Sequence, residues 1–472
     1  MRALVLTHRW LGIASCLLFA MWFATGLVMH FVPFPALTPA ENFAGLSPIQ
    51  TGKVQFTPEK AAQALDGPAI RQVQLIMRSE RPQYVFRLDQ RSIGIYADNG
   101  ELAAPVSRSE AISLAQSHAR NRGLDANAAQ YAELVAYDQW TVPNGLDSYR
   151  PLHRIKLHDA PGTELYVSDL TGEVVRDTTR FERGWNYVGS VLHWIYPTAL
   201  RKHWGMWDSV VWWLALLALI GALSGLMLGV VRTCWASSRL SPFQGMQFWH
   251  HMLGLGCAIF VLTYIFSGWL SMDHGLLFSK NTAKPEEIMA LAGGPYDIKR
   301  FDKLAISQAH GAREIDFIQL GSTPYLRARM TADDQVLISE HGKLGMYFST
   351  ALVTAASQQL LPDTACAPVA AIPATDTYYV KTSMQNAPLY RAKCVDASAS
   401  WFQIDSASGR VIEKTDYSRR WYRWLYSGLH TFDIPWFAAH SGLRTGLILA
   451  LCSLGFIFSV TGIIIGWRRS IR

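Results

Sequence analysis

Charged side chains vanish from four parts of the chain. Residues 10–40, 209–231, 240–272 and 445–467 contain no Asp, Glu, Lys or Arg, and apolar residues dominate each. A helix of about 20 such residues crosses a ~30 Å hydrocarbon layer, so the pattern predicts four transmembrane helices. Between them it changes to short β-branched and aromatic runs broken by Gly, Asp and Pro, with helical stretches such as residues 109–116. The fold class expected is an α-helical membrane protein with four transmembrane helices, internally duplicated, carrying two α+β extracytoplasmic domains. The boundaries drawn are helix 1 at 1–32, domain 1 at 33–202, helix 2 at 203–232 and a cytoplasmic loop at 233–246. Helix 3 follows at 247–273, domain 2 at 274–439, helix 4 at 440–467 and a cytoplasmic tail at 468–472. The first helix is long for the apolar core of a cleaved signal peptide, and it has a repeat partner deep in the chain, so it is read as an uncleaved anchor.

Orientation follows from the short connecting segments. Arg2, Arg9, Arg232, Arg239, Arg468, Arg469 and Arg472 stand there with no acidic residue among them. The positive-inside rule places both termini and the helix 2–3 loop in the cytoplasm, and the two long segments outside, in the periplasm if the cell is Gram-negative, with the protein in the bacterial inner membrane. These arginines facing a lipid bilayer with anionic headgroups account for the formal net charge of +7, so no nucleic-acid partner is needed. Cys16, Cys257 and Cys452 fall within helices and Cys234 in the cytoplasmic loop, which leaves Cys366 and Cys394 as the exported pair. A disulfide between them would stabilise by roughly 3–4 kcal/mol in an oxidising compartment; two free thiols are the alternative.

The chain repeats itself. An offset of 237 carries His193 and His203 onto His430 and His440, Pro151 onto Pro388, Gly172 onto Gly409, and Ser224-Gly225 onto Thr461-Gly462. A second offset of 242 carries His8, Leu11, Gly12 and Gly26 onto His250, Leu253, Gly254 and Gly268. Within the exported segments the repeat takes in a strand meander whose turns, Asp169-Leu170-Thr171-Gly172 and Asp405 to Gly409, end on a glycine suited to positive φ.

These turns, the Leu192-His193 and Leu429-His430 pairs that follow, the opening His8-Arg9-Trp10-Leu11-Gly12 and the Thr25-Gly26 pair resemble the PepSY-associated transmembrane family over nearly the whole chain. The resemblance implies PepSY-like exported domains. Family members that act as inner-membrane ferric-siderophore reductases are haem proteins, which implies a similar role here; other PepSY proteins inhibit peptidases or act in sensing.

Nine of the fourteen histidines lie in or beside the predicted helices. An ionisable side chain near lipid is costly and is usually directed to the bundle interior, which makes function the default reading, although a histidine at headgroup level is cheap. His8, His250 and His251 fall at the cytoplasmic face; His30, His193, His203, His274, His430 and His440 fall at the outer face. His8 and His30 are 22 residues apart, about 33 Å of helix, so one haem cannot serve both layers. Two haems are therefore expected, and with no Cys-x-x-Cys-His motif they would be non-covalent haem b. His8 with His250 is the favoured inner pair, His251 the alternative. For the outer layer the repeat offers His193 with His430 and His203 with His440, and the resemblance favours the first. His203 and His440, with His30 and His274, are left for a further haem or a metal substrate, zinc or copper being the chemical rivals. The offset of 242 sets His30 opposite Met272 and not His274.

Each predicted helix also holds a Ser/Thr-Gly pair, of which Thr25-Gly26, Ser224-Gly225, Ser267-Gly268 and Thr461-Gly462 recur from helix to helix. Helix packing is the first reading, and making room for a porphyrin edge the second. The function expected is haem-mediated electron transfer across the membrane, reducing a ferric siderophore or similar iron(III) complex. With no GxGxxG and no P-loop, electrons would come from a quinol or a cytoplasmic reductase. The rivals are a membrane-anchored PepSY module for peptidase inhibition or sensing, and a metal-uptake accessory; self-association into a homo-oligomer stays open.

Overall fold

The computed structural model describes every residue except 66–69, 236–239, 362–363, 385 and 472, so Arg239 and Arg472 lie outside the described residues. The chain divides into two compact units, one formed by residues 1–34, 182–279 and 418–472, the other by 35–181 and 280–417.

Six helices matter here: α1 (Arg2–Phe31), α2 (Arg108–Asn121), α3 (Trp204–Arg232), α4 (Gly245–Ser271), α5 (Thr350–Ser357) and α6 (Ser441–Ser470). In the first unit, among the described residues, α1, α3, α4 and α6 are the four helices long and apolar enough to span a membrane. At 27 to 30 residues each they run about 40–45 Å, beyond the ~30 Å of hydrocarbon, and their ends fall within three residues of the expected boundaries. Each of α1 and α4 packs against both α3 and α6, so the four form a closed ring with α1 and α4 on one diagonal. Close approach depends on glycine: an added Cβ at Gly455 would lie 2.7 Å from the Phe23 ring, and one at Gly221 would lie 3.4 Å from Leu11. Phe23, Ala218, Val261, Tyr264, Ile448 and Cys452 form the bundle core.

Just ahead of α3 and α6 the chain forms a π-helical turn, at Tyr187–Val191 and again at Trp424–Gly428, the second copy 237 residues after the first. Such turns are rare and concentrate at functional sites. Here each delivers a histidine, His193 or His430, two residues beyond its end.

Among its described residues the second unit has fifteen strands: β1 (Gln72–Arg78), β2 (Arg81–Arg87), β3 (Ser92–Tyr96), β4 (Gln130–Val135), β5 (Leu152–Lys156), β6 (Glu164–Ser168), β7 (Val174–Thr178), β8 (Glu314–Leu320), β9 (Thr323–Arg329), β10 (Gln335–Ser339), β11 (Gly342–Gly345), β12 (Ala370–Ile372), β13 (Leu389–Lys393), β14 (Trp401–Asp405) and β15 (Val411–Thr415). Two four-stranded sheets, β4-β5-β6-β7 and β12-β13-β14-β15, contain the expected meanders. Their turns use Gly172 at φ 72° and Gly409 at φ 67°, and a bulge beginning at Tyr166 recurs at Gln403. Helix α2, capped by Ser107 on the Glu110 amide, packs Ala111, Leu114 and Ala115 on Ile155 and Leu165 of the first sheet. Helix α5 packs Val353 and Ala356 with Phe402 and Ile404 of the second.

The third sheet differs from the expectation of two separate domains. Its order is β11-β10-β9-β8-β1-β2-β3, and β1 pairs antiparallel with β8 through Val73↔Phe317, Gln74↔Asp316 and Leu75↔Ile315. Each long segment supplies one hairpin group whose edge would otherwise stand open, and pairing the two edges satisfies both. Val73, Leu75, Tyr84, Ile315, Phe317 and Leu326 then share one core. Cys366 and Cys394 are joined as a disulfide, their Cα atoms 3.9 Å apart.

Candidate histidine pairs

The four-helix unit brings two pairs of histidines close together, the rings of His8 and His250 tilted by 31° and those of His193 and His430 set edge-on at 68°. The rings of His8 and His250 have centroids 6.3 Å apart, and those of His193 and His430 are 6.4 Å apart. A transition metal held between two imidazoles requires roughly 6 Å, two metal–nitrogen bonds of ~2.0–2.1 Å plus the ring radii. His8 and His250 come from α1 and α4, the diagonal helices, so the ring of four encloses them.

Each histidine is held by a helix other than its own, three of them by the hydroxyl of a Ser/Thr-Gly pair and His8 by a backbone carbonyl one turn before such a pair. His193 Nδ1 lies 2.9 Å from Thr25 Oγ1, and a Cβ on Gly26 would touch its ring at 3.6 Å. His430 Nδ1 lies 3.0 Å from Ser267 Oγ, with Gly268 at the same 3.6 Å. His250 Nδ1 lies 2.9 Å from Thr461 Oγ1, beside Gly462. His8 Nδ1 meets the Gly221 carbonyl at 3.2 Å, and Gly225 lies against its ring. Small residues at these positions therefore serve as histidine cradles rather than helix packing alone.

The hydrogen bonds also assign the tautomer. Thr25, Ser267 and Thr461 donate their own hydroxyl protons to the carbonyls of Met21, Tyr264 and Phe458. Toward the imidazole they can then only accept, and the Gly221 carbonyl can only accept. All four rings therefore carry their proton on Nδ1. Their Nε2 atoms make no hydrogen bond among the described residues, which leaves four neutral imidazoles with a bare lone pair, the form that ligates metal.

His251, the alternative inner ligand, is differently placed. Its Nε2 donates to the Gly229 carbonyl at 2.9 Å and its Nδ1 accepts from Ser241 Oγ at 2.8 Å. With both nitrogens committed it ties the segment after α3 back to that helix and has no lone pair to offer. The remaining outer histidines do not gather. His203 and His440 stand at the N-cap positions of α3 and α6 without a capping side-chain bond, and His440 donates to the Trp436 carbonyl at 2.8 Å while stacking on that indole. His30 Nε2 meets Thr445 Oγ1 at 3.0 Å, and His274 Nδ1 meets Asp208 Oδ2. Among the described residues no group of three or more His, Cys, Asp or Glu could hold a metal ion. His203, His440, His30 and His274, expected to share a further haem or a metal substrate, are thus not brought together into one group, and His30 and His274 instead clamp helix ends.

The clamps resolve the mismatch between His30 and His274. Asp208 and Thr445 stand at the 237 offset, so each histidine ties its helix end to the equivalent position of a neighbour. Helix α1 continues to Phe31, whereas α4 ends at Ser271 and Asp273 turns back at φ 42°, which brings His274, two residues late, to the corresponding place.

A cavity of about 300 Å³ lies between His8 and His250. Its walls include Gly12 and Gly254, each four residues after a histidine and so on the same helix face. A Cβ added at Gly12 would meet nothing within 4 Å. Two imidazoles alone do not complete a four-coordinate metal, but they complete one whose other positions are filled by a planar macrocycle, and the glycine-walled cavity fits such a group.

The family model described as the PepSY-associated TM region matches residues 5–469. No curated protein matches the sequence.

Proposed function

We propose, for a chain that belongs to the PepSY-associated transmembrane family, that His8 with His250 and His193 with His430 hold two b-type haems, and that electrons cross the membrane through them to an iron(III) complex. The observation that supports this most is the fourfold lock: four imidazoles, each with its proton on Nδ1 and its Nε2 bare, in two pairs at 6.3 and 6.4 Å. Haem supplies reversible one-electron exchange at iron held by two imidazoles.

The protein's part is to fix the ligands and keep water out. His8 and Thr25, the residue that holds His193, are 17 positions apart on α1, about 25 Å along the axis, so the pairs form two layers. Between them Phe23 contacts Phe260 and Tyr264 with ring centroids 6.2 Å apart in both cases. By the arginine distribution both termini and the inner pair face the cytoplasm of a bacterial inner membrane, and the sheet unit is periplasmic. A quinol or a cytoplasmic reductase donates the electrons. A ferric siderophore is a suitable acceptor because its hard oxygen ligands hold Fe(III) tightly and Fe(II) weakly. The recurrence at 237 of a π-turn, a bulge and a helix clamp supports internal duplication.

The test is the visible spectrum of detergent-purified protein from haem-replete cells. Two haems per chain are expected, with a Soret band and with α and β peaks that sharpen on dithionite, followed by reoxidation on adding a ferric siderophore. A folded but colourless preparation would refute the proposal and leave the sheet unit as an anchored binding module.

A further inference from the structure

The cavity beside the inner histidines is lopsided. Its body is apolar, formed by residues such as Phe19, Val261 and Phe458, whereas its lining also contains Arg9, Arg232 and Arg469 and no Asp or Glu. Arg232 and Arg469 each stand seven residues after a cradle glycine, Gly225 or Gly462, about 10 Å further toward the helix end, and they are equivalent at the 237 offset. Among the described residues none of the three arginines forms an ion pair, although guanidinium groups elsewhere in the chain, such as those of Arg87 and Arg391, are matched to carboxylates. Lipid attraction accounts for an arginine at a membrane surface. It does not account for two symmetry-related arginines lining one cavity that also contains two bare imidazoles.

We infer that Arg232 and Arg469, with Arg9 beside them, bind the two carboxylates of the flat ligand that His8 and His250 clamp; on the haem reading above, on which this rests, these are the propionates. Guanidinium and carboxylate form paired charge-assisted hydrogen bonds, and two arginines at equivalent places suit two carboxylates on one edge. The ligand's orientation follows: its acidic edge faces the helix ends that carry the arginines, and its apolar edge lies against Phe458 and Val261.

The experiment is haem transfer from full-length protein in phosphatidylcholine nanodiscs to excess apomyoglobin, the inner-site phase being the one that His8→Ala abolishes. Arg232→Gln/Arg469→Gln should speed that phase by roughly tenfold per lost arginine, while the outer haem stays and reports an intact fold. Arg232→Lys/Arg469→Lys should recover part of the loss. Haem b dimethyl ester, which lacks both negative charges, should leave the wild-type site about as fast as haem b leaves the Gln variant. The inner midpoint potential should fall in the Gln variant, because removing nearby positive charge favours the ferric state. Unchanged rates in the Gln variant, or equal retention of acid and ester by the wild type, would overturn the inference while leaving the haem reading intact. A defect seen only when phosphatidylglycerol is present would reassign the arginines to lipid phosphate and overturn it as well. Wild-type protein without haem would instead fail the haem reading, and this one with it.

Discussion

Two glycine-to-alanine substitutions at equivalent positions, Gly225→Ala and Gly462→Ala, should have opposite outcomes. At Gly225 the new Cβ would stand 2.5 Å from His8 Cε1 and 2.9 Å from Nδ1. Ordinary carbon–carbon contact is ~3.5–4.0 Å, so the ring must retreat by roughly 1 Å. Metal–ligand distances tolerate only ~0.2 Å, so in the proposed haem site the retreat would break coordination. At Gly462 the nearest atoms are His250 Cε1 at 3.5 Å and Cys16 Cβ at 3.7 Å, and a methyl group fits. Both changes improve helix propensity by up to ~1 kcal/mol, so neither should unfold the bundle. Haem per chain, from the pyridine haemochrome, should drop from two to one in Gly225→Ala and stay at two in Gly462→Ala. Two haems with an unaltered reduced spectrum in Gly225→Ala, or equal loss in both variants, would refute the cradle geometry.

Gly12→Leu should fill the open space beside His8 and expel the inner haem while the outer one remains; a full complement of haem would show that the cavity is not its site. His251→Ala should cost stability but no haem, since both ring nitrogens are already bonded within the protein; if it loses a haem that His250→Ala retains, the inner ligand has been misassigned. In the sheet unit, burial holds the His118 imidazole down to about 3, with the nearby Arg122 adding to the effect and Glu41 opposing it. The unfolded chain takes up that proton below pH ~6.5 and the folded chain does not, so stability falls on acidification, by about 2 kcal/mol between pH 6.5 and 5. His118→Leu should flatten this slope in thermal melts at the two pH values; parallel slopes would exclude His118 as the cause.

The four spans were legible because a water-exposed segment rarely goes twenty or more residues without a charge. The histidine pairing was legible for a different reason: repeat offsets carry three-dimensional equivalence even where single residues are ambiguous. The choice between His250 and His251 was not. Adjacent residues on a helix point 100° apart, but with apolar residues all around α4 nothing in the sequence fixes which direction faces the bundle axis. The Ser/Thr-Gly pairs were visible as a recurrence, yet their use depends on hydrogen bonds to residues 163 to 211 positions away. His30 and His274 looked inequivalent because a two-residue difference in helix ending is invisible to a fixed offset. The β1–β8 pairing left no signal, since the two strands carry ordinary alternation and neither marks its partner.

That pairing sets a timetable. Val73 must wait for Phe317, 244 residues later in the chain, and at ~5–20 residues per second the wait is roughly 12–50 s. Throughout it the first hairpin group presents an unfinished edge, open to any strand that arrives sooner. A newly made copy is thus vulnerable to pairing with its neighbours until its second half emerges, so slowing translation between the two halves should raise aggregation more than slowing it after β8.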